Sequence, residues 1–471
     1  MIDKKKYRHI HFVGIKGVGM TALAVFAKEA GIKVTGSDTA EEFVTDEVLK
    51  RNGINPKVGF NEENIIDRPD LVIVTGAHGG LTNPEALAAK IKGIPVIMQG
   101  QAVGLFMEGK IGISVCGVGG KTTTSAMIAT ILTKAHRDPS FIIGCSEIFS
   151  LKNPGHFGKG EFCIAEADEY VTCPKIDTTP KFLWQTPTYI IVTNIDFDHP
   201  DVYKDIRQTR NTYLTFFNKL PQEGILIGNI DNQNVRETFS HFVGHKETYG
   251  VSKDATWRLK DSRISNGKTV FGIEHDTTVL GEITLPVPGH HNCLNALGAI
   301  VACLQLGLSF EEIKNGLSFF TGIKRRFEFK GERKNIKFYD DYAHHPNEIR
   351  TTLSTAREWF KHKKIICIFQ AHTYSRTKAL LGEFSQSFQK ADEVFITDIY
   401  SSKREEVDPS VNGEVLASCI RKFQPNTYFL GSRKNVVEFM SKHLKPNSVV
   451  FTMGAGDIYK WGEEIMEHIN G

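Results

Sequence analysis

The chain has 471 residues, 41% hydrophobic and 24% charged, with 57 Lys and Arg against 54 Asp and Glu. It is too long for one hydrophobic core and predicts about three domains of ordinary size. With charge so nearly balanced and no basic block beyond Lys4-Lys5-Lys6, nucleic acid is excluded as a partner. No leader or apolar run of membrane-spanning length stands out, so membrane insertion is not expected and a cytoplasmic location is. The eight cysteines form no Cys-x-x-Cys pair and read as reduced packing thiols.

The first hundred residues alternate apolar strands with amphipathic helices. Strands are predicted over 9–14, 33–36, 71–75 and 95–98, with a helix over 20–30, which is the pattern of a parallel α/β sheet. Between the first strand and its helix lies Gly14-Ile15-Lys16-Gly17-Val18-Gly19-Met20, and Ser37-Asp38 follows the second strand. Such a turn can seat a diphosphate, with the acidic residue near a sugar. The spacing is not that of the dinucleotide fingerprint, so tight strand-to-helix packing without a ligand stays open as the alternative.

A Gly109-Lys110 break marks a first boundary, giving a segment 1–109. A strand over 111–115 then feeds Gly117-Val118-Gly119-Gly120-Lys121-Thr122-Thr123 and a helix over 125–135. This is a phosphate loop: glycines admit close approach of backbone N–H groups, the helix N-terminus adds its dipole, Lys121 reaches outer phosphates and the Thr122 hydroxyl suits Mg²⁺. The strict Walker form needs a glycine where Val115 stands, yet the shorter form keeps every group with a chemical task. ATP is the nucleotide expected.

Two acidic runs follow apolar strands: Glu166-Ala167-Asp168-Glu169, and Asn194-Ile195-Asp196-Phe197-Asp198-His199 after a strand over 190–193. Carboxyl ends of strands are the ligand edge of open α/β sheets, so Glu166 is the expected Mg²⁺ partner, with His199 at a second metal. A strand over 224–228 and a β-rich insert over 257–285 precede Gly289-His290-His291-Asn292-Cys293-Leu294-Asn295, which opens a helix. His291, Asn292 and Asn295 share one turn and can face a purine, while capping by Asn292 is the alternative. The central segment therefore runs 110–322, and Lys324-Arg325-Arg326-Phe327 opens the third, 323–471, where Arg326 can reach a γ-phosphate only on closure. Strands are predicted there over 336–339, 365–369, 393–397 and 448–452. Two polar runs follow the first two of them, Asp340-Asp341-Tyr342-Ala343-His344-His345-Pro346 and Gln370-Ala371-His372-Thr373-Tyr374-Ser375-Arg376-Thr377. Packing alone does not call for such density at sheet termini.

Together these runs resemble the Mur ligase superfamily of peptidoglycan synthesis, over nearly the whole chain. The resemblance implies three domains: a Rossmann-like N-terminal domain, a central P-loop ATPase-type α/β domain and a Rossmann-like C-terminal α/β domain. It implies UDP-sugar binding by Gly14, Gly17, Gly19, Met20, Ser37, Asp38 and Asn83. ATP would be held by Gly117, Gly119, Gly120, Lys121, Thr122, Thr123, His291, Asn292, Asn295, Arg326 and Asp341, with Mg²⁺ on Thr122, Glu166 and His199. His344, His345, His372 and Arg376 would line the amino-acid side, and the catalytic set would be Lys121, Glu166, His199 and Arg326. The His-x-Tyr-Ser-Arg-Thr run is similar to the alanine-adding branch, implying UDP-N-acetylmuramate and L-alanine as small-molecule substrates joined through an acyl phosphate. The stretches 98–103 and 166–182 are closer to the branch that attaches a murein tripeptide to the same sugar. Val118 and Gly119 stand where the family carries threonine and histidine, and Lys16 where it favours glycine. Segment 211–217 has no lysine to match the carbamylated one of several sister ligases. A nicotinamide enzyme would leave Lys121 and the acidic strand ends without a task. A hydrolytic switch would leave the first glycine turn and the third segment's polar runs unexplained.

Overall fold

The computed structural model describes residues 5–401 and 407–469, so Lys4 of the basic start lies outside them. Two compact units are present, Met1–Val287 with Asn292–Ile323, and Pro288–His291 with Lys324–Gly471. The first unit holds two large sheets, the second holds one.

The N-terminal sheet is wholly parallel, in the order Lys57–Val58, Lys33–Asp38, His9–Val13, Leu71–Val74, Val96–Met98. Leu71–Val74 is buried at every position, as a strand covered on both faces must be. Helix Val18–Glu29 begins two residues earlier than its apolar pattern suggests and buries Met20 through Ala27. It lies close against the hairpin Ser140–Ile142 and Gly155–His156 of the neighbouring sheet, where a Cβ on Gly155 would stand 2.0 Å from the Ala22 carbonyl oxygen.

The ten-stranded central sheet runs Thr278–Leu285, Lys268–His275, Trp257–Ser265, His245–Gly250, Ile225–Asn229, Tyr189–Val192, Ile111–Cys116, Phe162–Ala167, Ser140–Ile142, Gly155–His156. Its middle is parallel, and the insert expected over 257–285 is an antiparallel meander at one edge. Helix Lys121–Lys134 starts four residues before the predicted position, because Gly120 adopts φ +86° and turns the chain straight into it. Its buried face joins helices His290–Gln305 and Phe310–Ser318 in the main core.

In the second unit the order is Glu328–Arg333, Ile336–Asp341, Ser448–Met453, Lys364–Phe369, Glu393–Thr397, Thr427–Gly431, with only the first pair antiparallel. Helix Pro346–Trp359 follows the second strand and packs its buried side, including Ile349 and Leu353, on the sheet's core. None of the eight cysteines is paired, and seven are buried. Burial pushes the Cys163 thiol up to about 12, and drives Cys116, Cys303 and Cys367 higher still. Among the described residues no helix is long and apolar enough to cross a membrane.

Candidate active site

The phosphate loop sits where the sequence puts it, between the buried strand Ile111–Cys116 and the N-terminus of helix Lys121–Lys134. What holds it is the segment after strand Tyr189–Val192. The Gly119 N–H donates to Asn194 Oδ1 at 3.0 Å, and the Gly119 carbonyl accepts from Asn194 Nδ2 at 2.9 Å and from the Thr193 hydroxyl at 2.6 Å. Gly117 has φ +132°, and a Cβ there would stand 2.1 Å from Thr193 Oγ1. A Cβ on Gly120 would stand 2.5 Å from Asn295 Oδ1. Gly117 and Gly120 are thus required by the protein's own polar side chains, whatever ligand the loop takes. Asn194 heads the second acidic run of the sequence, but neither it nor Thr193 carries a predicted task of its own.

Lys121 projects from the first helical turn to within 3.3 Å of Glu169 Oε2, a carboxylate only 2% exposed. Burial opposes the ammonium charge, but Glu169, Asp168 and Glu166 outweigh it and raise the Lys121 pKa. Asp168, Glu169 and His199 bring one potential ligand atom each within 4.8 Å of one another. Asp168 also accepts from Lys181 Nζ at 2.7 Å, and despite burial Lys181, Lys121 and His199 hold its pKa below the usual range. The His199 ring packs on Tyr170 at 4.6 Å, with its backbone at φ +58°. Glu166 stands one turn of the pleat earlier, on strand Phe162–Ala167, and its Oε1 accepts the Gly144 N–H at 2.8 Å. Of the expected metal residues, the structure gathers His199 with the two acids after Glu166. Thr122 is buried in the same helical turn as Lys121.

Gly14, at φ +78°, and Ile15 donate their N–H groups to the Ser37 carbonyl at 2.9 and 3.2 Å. Gly17 caps helix Val18–Glu29, a Cβ on Gly19 would meet Gln99 Nε2 at 3.0 Å, and Met20 is buried. Asp38 accepts from the backbone N–H of Lys16 and of Thr39, both at 2.8 Å. The Ser37 hydroxyl turns inward to Glu85 Oε2 at 2.7 Å, and Asn83 caps helix Pro84–Ile91 through the Glu85 N–H. Glu85, fully buried, also takes His11 Nε2 at 2.9 Å and Asn64 Nδ2 at 2.6 Å. Burial works to raise its pKa, but these hydrogen bonds lower it. Sequence reasoning missed this hub, because an acid in a first helical turn reads as an ordinary dipole partner.

Helix His290–Gln305 starts at His290, so Asn292 lies inside it and does not cap it; its Oδ1 accepts from Asn295 Nδ2 at 3.3 Å. His291 belongs to the second unit, where Thr355 Oγ1 lies 3.3 Å from its Nδ1. Burial, helped by the charges of His290 and Arg326, lowers its pKa to about 4, so the ring is neutral near pH 7.

Arg326 stacks its guanidinium over Tyr342 at 5.1 Å and pairs with Glu348 at 3.5 Å. Asp341 accepts the N–H groups of Phe327 and Ala343, both at 2.8 Å. Burial raises its pKa to about 6, against the pull of Arg326 and those two N–H groups. His345 caps helix Pro346–Trp359, with Nδ1 accepting the Asn347 N–H at 3.3 Å while its buried Nε2 has no hydrogen-bond partner among the described residues. The rings of His344 and His372 meet at 6.0 Å, and Arg376 Nη1 lies 3.5 Å from His372 Nδ1. His344, His372 and Arg376 therefore form one group, with His345 set into the adjoining helix start.

Comparison with known proteins places three family models end to end on this chain. They are the Mur ligase family catalytic domain over residues 9–111, the Mur ligase middle domain over 115–303, and the Mur ligase glutamate ligase domain over 325–456. The UDP-N-acetylmuramate--L-alanine ligase of Acetivibrio thermocellus is 40% identical over 470 residues, covering 99% of this chain and 97% of that protein. The crystal structure of UDP-N-acetylmuramate-alanine ligase from Thermotoga maritima superposes with a TM-score of 0.80 at 29% identity, covering 98% of each chain. A murein peptide ligase from Psychrobacter arcticus shares the fold, with a TM-score of 0.73 at 23% identity and 98% of each chain covered.

Proposed function

Because the chain belongs to the Mur ligase family, we propose that it joins L-alanine to the lactyl carboxylate of UDP-N-acetylmuramate, converting ATP to ADP and phosphate, as a step of peptidoglycan synthesis. The observation that carries this reading is the full-length likeness to UDP-N-acetylmuramate--L-alanine ligases. A phosphate loop with its lysine beside an acidic cluster supports ATP as the phosphoryl donor.

In the proposed reaction the lactyl carboxylate attacks the γ-phosphorus, the bond to the β-phosphate oxygen breaks, and ADP leaves. The alanine amine then attacks the acyl carbon, loses a proton, and phosphate departs from the tetrahedral intermediate. Carboxylate and triphosphate repel each other, so the central task is charge neutralisation in a fixed geometry. Lys121 supplies a permanent cation, and the unpaired N–H groups at the start of helix Lys121–Lys134 supply oriented dipoles. The hard oxygen donors of Thr122, Glu166, Asp168 and Glu169, with the His199 imidazole, suit Mg²⁺. When bound, Mg²⁺ would supply charge neutralisation on the phosphate oxygens. The neutral His291 ring and the amides of Asn292 and Asn295 are our adenine group, and Asp341 and Arg326 the nucleotide group of the second unit. His344, His345, His372 and Arg376 are assigned to the amino-acid side, and Gly14, Gly17, Gly19, Met20, Ser37, Asp38 and Asn83 to the UDP-sugar. Functional boundaries at 109/110 and 322/323 and a cytoplasmic setting complete the reading.

Purified protein with ATP, Mg²⁺ and UDP-N-acetylmuramate tests it, with L-alanine or the murein tripeptide added separately. ADP release that depends on L-alanine, matched by the new amide, is the expected result. Release with the tripeptide alone would overturn the acceptor assignment, and no release with either would overturn the ligase reading.

A further inference from the structure

Both polar groups of the Gly119 backbone are engaged by a side chain that the proposed chemistry does not use. Asn194 faces Gly119 with its oxygen toward the N–H, at 3.0 Å, and its nitrogen toward the carbonyl, at 2.9 Å. This pairing sets the amide's orientation, since flipping it would oppose donor to donor and acceptor to acceptor. The partners lie 75 residues apart in sequence, on loops that leave adjacent parallel strands. Thr193 fastens the same carbonyl through its hydroxyl, and its backbone N–H donates to the Cys116 carbonyl at 3.0 Å, so the loop is pinned at its entry as well as its middle. A Gly119 N–H directed at Asn194 is unavailable to a phosphate. Anion binding then falls to the N–H groups that follow, at the start of the helix, whose direction the pinned loop sets.

We propose that Asn194 is a positioning residue for nucleotide binding: it clamps the backbone of Gly119 and so presets the phosphate loop that seats the ATP phosphates. A loop held in its binding shape loses less freedom when the nucleotide enters, which favours affinity and in-line geometry. The clamp also accounts for glycine at 119 without an anchoring side chain. A Cβ there would lie 3.5 Å from Asn194 Nδ2, an ordinary contact, so the clamp works through backbone groups alone. The inference rests on the ATP-binding part of the proposed function.

The test is calorimetric titration of the full-length protein with ADP and Mg²⁺, for wild type, Asn194→Ala and Asn194→Asp, beside melting temperatures and KM values for ATP and UDP-N-acetylmuramate. Asn194→Ala removes both hydrogen bonds, and Asn194→Asp keeps the acceptor but sets a carboxylate oxygen against the Gly119 carbonyl. Each variant is expected to weaken ADP binding and raise KM for ATP about tenfold, with KM for the UDP-sugar within about twofold. ADP affinity unchanged within about twofold in both variants would overturn the proposal. So would a uniform rise in every KM accompanied by a lowered melting temperature, which would mark Asn194 as a general structural residue. Failure of the wild type itself to bind ADP would instead overturn the ATP reading on which the clamp depends.

Discussion

Replacing Glu169 with glutamine should affect nucleotide binding in opposite directions depending on whether metal is present. Lys121 and Glu169 are 3.3 Å apart and largely buried, so at an effective dielectric of about 20 their gross attraction is about 5 kcal/mol. Most of that restraint survives the change, because Asp168 and Glu166 still act on the ammonium and a glutamine oxygen still accepts its proton. The net loss is of the order of 1 kcal/mol, the difference between a charge-assisted and a neutral hydrogen bond. Metal-free ADP competes with Glu169 for the same ammonium, so Glu169→Gln should bind it about fivefold more tightly. The gain from adding Mg²⁺ should shrink about tenfold, since the cluster with Asp168 and His199 loses one of its two carboxylates. Calorimetric titration with ADP in chelator and in Mg²⁺ reads both effects. Equal weakening under the two conditions would refute the reasoning and mark Glu169 as a structural partner of Lys121 only.

Lys121→Ala should lower kcat about 10²- to 10³-fold in a coupled ADP-release assay, the scale for losing one charge-stabilising group; turnover within about threefold of wild type would remove Lys121 from the mechanism. Gly117→Ala places a Cβ 2.1 Å from Thr193 Oγ1 at φ +132°, and urea unfolding should show a loss of about 2–4 kcal/mol. Asp341 gives a pH signature. Its folded pKa of about 6 lies above the usual aspartate value, so its contribution to stability is fully present below about pH 4 and is lost as pH rises through 6. The loss amounts to about 3 kcal/mol, and urea unfolding of Asp341→Asn between pH 4 and 8 should lack this component.

Most parallel strands were legible because their apolar runs are short and bounded by glycine or polar turns, and where a range was predicted its edges fall within two residues of those observed. Among those that were not are Ser140–Ile142, His245–Gly250 and three edge strands. Lys57–Val58 is two residues long and exposed, Glu328–Arg333 is mostly charged, and Thr427–Gly431 is an edge strand with one exposed tyrosine. Each is a strand because a neighbour offers a sheet edge, which no local pattern records. Within the candidate site, Lys121 and Thr122 were legible from spacing alone. Glu169 was overshadowed by Glu166, since both belong to one acidic run and only the end of strand Phe162–Ala167 decides which carboxylate turns toward Lys121. The tasks of Asn194 and Glu85 escaped for a common reason: their partners are backbone or side-chain groups brought near by sheet order, at separations of up to 75 residues.

The burial of seven thiols bears on handling and on reporting. With the proton held tightly on sulfur and the side chains shielded, reagents such as maleimides and peroxides meet almost no thiolate at Cys116, Cys163, Cys303 or Cys367 while the fold is intact. Cys419, half-exposed on helix Gly413–Arg421, is the natural handle for a single fluorophore in the second unit. Any additional labelling would then register opening of the interior, giving the molecule its own gauge of unfolding without an engineered cysteine.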